Sequence, residues 1–214
     1  MLTGDWHDII RSLVLSAPAI LFGLTIHELA HGLVAWRLGD PTAKAMGRLT
    51  LNPLRHLDPI GTVALFLFRF GWAKPVPIDP SYFRHPTRDM ALSALAGPAA
   101  NLLTAAVTGL LLRGFHLAGV AGFPVVLLQY FVLFNLILCF FNLIPIPPLD
   151  GSRLVYYFLP PELAAKYGQL ERYGFMILIG VILLGRLSGV SLIGLYLFPL
   201  VRLFSYLFAG YPVA

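Results

Sequence analysis

The residues best equipped for chemistry stand together: His27, Glu28, Leu29, Ala30 and His31 spell H-E-x-x-H inside a long apolar run. On a helix, residues four apart rise from one face about 5–6 Å from each other, so both imidazoles reach one divalent ion, as in a tetrahedral zinc site. The glutamate between them is then placed to act on water at the ion rather than to ligate it. With 6 histidines and glutamate only at positions 28, 162 and 171, the pattern arises by chance in about 0.2% of such chains. Two imidazoles and a carboxylate are costly in an apolar span, and a divalent metal offsets that cost.

Two histidines leave a catalytic metal one protein ligand short of the usual three. The third must reach the depth of His27, about 12 Å below Ala35 by helix rise. Asp150 fits best, in Asn142-Leu143-Ile144-Pro145-Ile146-Pro147-Pro148-Leu149-Asp150-Gly151, where prolines break the helix and the chain returns to the same side. The alternative is that Asp150 caps a helix starting at Gly151. His56 and Asp58 lie in a segment rich in Asn, Asp and Pro that reads as an interfacial turn, with a second metal or a gate as the alternative. His7, His85 and His116 stand alone in predicted loops and receive no role, and the single Cys139 excludes an intrachain disulfide and reads as packing.

The elements that must position these groups belong to a membrane. Of 214 residues, 58% are hydrophobic and 12% charged, and the mean hydropathy is +0.80. A soluble globule cannot cover its surface with so few charges. The apolar stretches run from Ile9 to Trp36, Met90 to Leu112 and Pro124 to Ile144. A tail from Tyr173 to Phe208 is either one long tilted span or two segments broken near Arg186 to Gly189. The first stretch is led by Asp5 and Asp8 rather than by basic residues, so it reads as retained, not as a cleaved signal. Ile60 to Phe68 reaches only about 14 Å as a helix, which predicts a re-entrant or interfacial piece. Trp72 to Ile78, WAKPVPI, predicts an edge strand or hairpin that a substrate segment joins by β-addition, or a hairpin that only closes the core. The expectation is an all-α integral membrane protein: a bundle of about four to six transmembrane helices with a short re-entrant helix and a β-hairpin or edge strand, in one domain over residues 1–214.

The formal charge is +5, yet the basic residues are not interleaved with aromatics along a polar face, which argues against nucleic acid. They cluster between spans instead. Residues 37–89 carry eight Lys or Arg and 147–172 three more, against Arg11 and Arg113 on the other side. The positive-inside rule then puts the amino terminus outside and both polar loops, with the candidate site, toward the cytosol.

Taken together, HELAH in the first span, Ala96-Gly97-Pro98-Ala99-Ala100-Asn101 in the next, and N-x-x-P-x-P-x-L-D-G resemble the site-2 protease family of intramembrane zinc metalloproteases. The resemblance implies Zn2+ held by His27, His31 and Asp150, Glu28 as general base, and Asn101 and Asn142 as substrate-binding or transition-state-stabilising residues. Interhelical hydrogen bonding is the other reading of the two asparagines. The substrate implied is a transmembrane protein in the lipid bilayer, its helix locally unwound so that a carbonyl is exposed. The chain has no room for the PDZ or CBS domains of many members, which predicts the minimal branch, in a prokaryotic cell membrane. Against hydrolysis stand a membrane metal-ion transporter and an inactive metal-binding scaffold. A non-ligating glutamate beside the histidines is needed only by the hydrolase.

Overall fold

A computed structural model describes the chain over residues 6–61 and 73–213. Its named helices are α1 (Trp6–Arg37), α2 (Thr42–Ala45), α3 (Pro86–Leu117), α4 (Phe123–Asn142), α5 (Asp150–Phe158), α6 (Pro161–Gly168), α7 (Gly174–Ser188) and α8 (Leu192–Ala209). Among the described residues, four are long and apolar enough to cross a membrane: Val14–Arg37 of α1, then α3, α4 and α8. Prolines start α3 and α4 in their first turns, where a missing N–H costs no helical bond. Between these helices the chain reverses through Gly119 and Gly122, at φ 69° and 88°, a left-handed backbone that glycine adopts without strain. The result is an antiparallel hairpin.

Small residues let the spans approach closely. A Cβ on Gly23 would stand 2.8 Å from Leu138 Cδ1, and one on Gly109 would stand 2.6 Å from Phe208 Cβ, so α1 meets α4 and α3 meets α8 at these glycines. Ala105 and Leu112 of α3, Val132, Leu136 and Cys139 of α4, and Val201 of α8 make the buried core between them.

After α4 the chain turns sharply. A Cβ on Gly151 would fall 2.3 Å from the Leu143 carbonyl oxygen, and one on Gly174 would fall 2.2 Å from that of Pro147. Only bare backbone lets the starts of α5 and α7 seat against the proline-broken connection, and this contact fixes Asp150 in place. The tail is two segments: α7 ends at Gly189, φ 72°, and Ser191 caps α8 by accepting from the Gly194 N–H at 3.0 Å. The 15 residues of α7 reach about 22 Å, short of a membrane's hydrocarbon thickness.

One expectation changes, and another falls largely outside the described residues. Helical backbone occupies 59–61, but the rest of the Ile60 to Phe68 piece lies outside the described residues, as does Trp72. Among the described residues, Ala73 to Asp79 forms no strand ladder: one antiparallel bridge joins Ala73 to Leu57, and the Lys74 N–H donates to the His56 carbonyl at 2.8 Å. Pro75 and Pro77 explain the difference, because alternate residues of a strand share an edge and these two leave that edge without donors.

Candidate metal centre

Helix α1 presents His27 and His31 one turn apart, their rings edge to face with centroids 4.5 Å from each other. The Leu149 backbone caps α5, with φ −70° and ψ 153°, so Asp150 is the first helical residue rather than the cap. Its carboxylate turns to the histidines instead: Asp150 Oδ2 lies 3.1 Å from His27 Nε2 and 3.3 Å from His31 Nε2. Metal-ligand bonds of about 2.0–2.2 Å at tetrahedral angles separate ligand atoms by about 3.3 Å, which these distances match.

The protons point the same way. The Nδ1 of His31 meets the Ser93 carbonyl oxygen at 2.7 Å, and that of His27 meets Asn101 Oδ1 at 2.6 Å. Both partners are acceptors, so each Nδ1 carries the hydrogen and each neutral ring offers a lone pair at Nε2. Two lone pairs and a carboxylate oxygen then face one another. Asp150 Oδ2 is buried and accepts no well-directed hydrogen bond. A cation between these atoms satisfies all three, and the donor set therefore fits a divalent metal.

One face of α3 builds the wall behind the rings. Ser93, Gly97 and Asn101 recur at intervals of four, a stripe along one side of the helix. A Cβ on Gly97 would stand 2.4 Å from His31 Nε2 and 2.7 Å from His27 Cε1, so a glycine is what leaves room for the imidazoles. Asn101, fully buried, spends its Nδ2 hydrogens on the Gly23 carbonyl and on Asn135 Oδ1, each at 2.9 Å, while its oxygen accepts from His27. Asn135 in turn donates to the Phe131 carbonyl at 2.9 Å. The Asn101 amide is thus committed among helices and orients a ligand ring. Asn142 is half-buried and donates to the Leu138 carbonyl one turn back in α4, at 2.9 Å.

On the opposite flank, half-buried Glu28 accepts at Oε2 from the Val76 N–H at 2.8 Å. His56 is buried, with Nε2 donating to the Thr50 carbonyl at 2.9 Å, and Asp58 accepts from the Gly61 N–H at 2.8 Å. Among the described residues the ligand-type side chains that converge are His27, His31 and Asp150, and neither His56 nor Asp58 joins them. Sequence reasoning missed Ser93, Gly97 and Asn135 as parts of the site. The four-residue stripe on α3 was the available signal for the first two.

The family described as Peptidase family M50 matches residues 117–185. The chain is 43% identical over 166 residues to "Putative zinc metalloprotease YwhC" of Bacillus subtilis, covering 75% of this chain and 76% of that protein. It is 32% identical over 176 residues to Rip2 of Mycolicibacterium smegmatis, which carries the same description, covering 78% of this chain and 66% of the relative. Rip2 of Mycobacterium tuberculosis strain H37Rv is 33% identical over 177 residues, with 79% and 66% covered. No solved structure matches the chain. With the HELAH span, the LDG turn and a relative matched over three quarters of its length, the chain belongs to the M50, or site-2 protease, family of membrane metalloproteases.

Proposed function

We propose that the protein is an intramembrane zinc metalloprotease that hydrolyses peptide bonds in or near the transmembrane segments of other membrane proteins. The observation that carries this reading is the convergence of His27 Nε2, His31 Nε2 and Asp150 Oδ2 within a membrane-spanning bundle, with Glu28 beside them. His27, His31 and Asp150 are the residues that would hold zinc. A zinc ion there supplies Lewis acidity, lowering the pKa of water and polarising a peptide carbonyl.

The chain's own groups do the rest. Glu28 takes a proton from the attacking water and passes it to the leaving amine, a role suited to a carboxylate that ligates nothing. One of its oxygens is anchored on the Val76 N–H, and the other is the one that would act on water. Asn101 and Ser93 hold the imidazoles with Nε2 forward. Asp150 keeps 19% of its side-chain surface exposed, so the site has an open side by which water and an unwound substrate enter. The basic loops flanking α1 and α3 favour the cytosolic face for that opening, and cysteines introduced at Ser81 and Ala165 should both be labelled from the cytosol.

A metal-ion transporter would use the same ligands, but it has no need of a carboxylate held off the metal on a backbone amide. Comparison of membranes from cells making the protein or its Glu28→Gln variant distinguishes the two. The protease reading expects transmembrane-derived fragments only with the unsubstituted protein. Zinc flux that persists in the variant, with no difference in fragments, would overturn it.

A further inference from the structure

We propose that Arg48 is a positioning residue for the general base: it holds the Lys74–Val76 backbone against α1 so that the Val76 N–H keeps the Glu28 carboxylate in place. This rests on the reading of Glu28 as base given above. Arg48 is buried, and its two terminal nitrogens fork onto successive carbonyls, Nη1 to Pro75 at 3.2 Å and Nη2 to Lys74 at 2.6 Å. The next backbone donor is the Val76 N–H, which is spent on Glu28 Oε2 at 2.8 Å. Pro75 and Pro77 flank it without N–H groups, so the triplet offers Glu28 one amide, and its neighbours cannot compete for the carboxylate.

The approach to α1 is built in. Gly32 lies one helical turn beyond Glu28, on the same face. A Cβ there would meet Leu49 Cδ2 at 2.7 Å, Val76 Cγ1 at 3.2 Å and Ala43 Cβ at 3.3 Å. The segment therefore touches α1 twice, by its amide at Glu28 and by its side chain at Gly32, while Arg48 grips the carbonyls from behind. The Arg48 backbone N–H donates to the Ala43 carbonyl at 2.9 Å, which ties the grip to α2. A buried guanidinium whose Nε has no partner among the described residues is a costly way to close a loop. Its planar fork reaches two adjacent carbonyls at once, which a lysine ammonium on one stem does less well.

The arrangement also bears on β-addition. Lys74 and Pro75 have their carbonyls on Arg48, and Lys74 and Val76 have their N–H groups on His56 and Glu28. This stretch serves the base rather than offering a free strand edge to a substrate.

The test uses the full chain, purified in detergent with zinc, and fluorescein-labelled casein as the probe. Arg48→Gln should lower kcat by about 10- to 100-fold with KM and zinc per chain unchanged, since a small misplacement of a catalytic group costs that much. Hydrogen exchange of the 73–79 fragment, read with or without zinc, should show the Val76 amide exchanging about tenfold faster or more, with α1 and α3 unchanged. Arg48→Lys should restore part of both. Unchanged exchange and kcat would overturn the proposal, as would a rise in KM alone, which places Arg48 at the substrate, or loosening of the whole chain with zinc lost, which makes it a general structural residue. If the unsubstituted chain fails to cleave casein, exchange alone decides whether Arg48 holds Val76 on Glu28, and the protease reading is judged separately by the transmembrane-derived fragments that the Glu28→Gln comparison reads.

Discussion

The two flanks of the metal centre are built from different materials. Behind His27 and His31 stands α3, a continuous helix whose Ser93 and Asn101 are fully buried and whose hydrogen bonds reach into α1 and α4. In front, Glu28 and Asp150 are part-exposed and are reached by non-helical chain: the Lys74–Val76 segment on one side and the turn into α5 on the other. The partners that orient the two imidazoles, Ser93 and Asn101, sit on that helical wall. The groups that meet water and substrate sit where the backbone irregularities of a membrane protein are tolerated, along an opening.

Asp150 offers the largest test of this division, since it is the proposed ligand that comes from the turn into α5. Asp150→Ala removes one of three donors and should weaken zinc binding by several orders of magnitude, with hydrolysis lost alongside. The measurement is zinc titration against a competing chelator. Because Leu149 rather than Asp150 caps α5, the helix itself should survive, and circular dichroism should be unchanged. Full zinc occupancy in Asp150→Ala would mean that the irregular flank contributes no ligand.

Glu28→Gln separates the flanks chemically. It keeps an oxygen to accept from Val76 but cannot accept a proton from water, so hydrolysis should fall by about 10²–10⁴-fold while zinc content stays the same. Loss of zinc in this variant would make Glu28 a ligand, and the contrast between holding groups and reacting groups would fail.

The rigid wall predicts a smaller, graded effect. Asn101→Ala strips His27 Nδ1 of its acceptor and leaves Asn135 Oδ1 without the Asn101 donor, while the Gly23 carbonyl keeps its place in the α1 ladder. Zinc affinity should drop about 10- to 100-fold, as for other outer-shell partners of metal-bound histidines. Thermal unfolding should report a loss of about 1–3 kcal/mol from the unpaired buried groups. If kcat falls while zinc affinity and stability hold, Asn101 instead serves the substrate.

How much of this was legible in the sequence follows the same division. His27 and His31 were readable because their spacing is local: a helix alone sets them on one face. Asp150 was readable as a candidate only, since the choice between cap and ligand depends on Gly151 and Gly174 seating against the proline-broken turn. Ser93, Gly97 and Asn101 carried a helical period, but periodicity cannot say that the stripe faces α1 rather than another span. The Arg48 grip joins positions 26 and 27 residues apart across a loop without regular structure, and no period marks such contacts. At WAKPVPI alternation predicts an edge strand or hairpin, but among the described residues the pairing stops at the Ala73–Leu57 bridge, because Pro75 and Pro77 leave one edge without donors.

Asn142 sets the lower bound. It was paired with Asn101 on the resemblance, yet the two amides are used differently: one bridges three helices, and the other turns back on its own. Asn142→Ala removes a half-buried bond to a carbonyl that α4 already holds in its own ladder, so stability should change by no more than about 0.5 kcal/mol. Zinc content should not change at all, because no ligand ring depends on that amide. The decisive quantity is therefore kcat measured at full zinc occupancy. A value near that of the unsubstituted chain leaves Asn142 as a helix-end residue. A tenfold or larger fall, with zinc and stability intact, would show that the amide swings from Leu138 to a reacting substrate, and would extend the reactive flank of the site onto the end of α4.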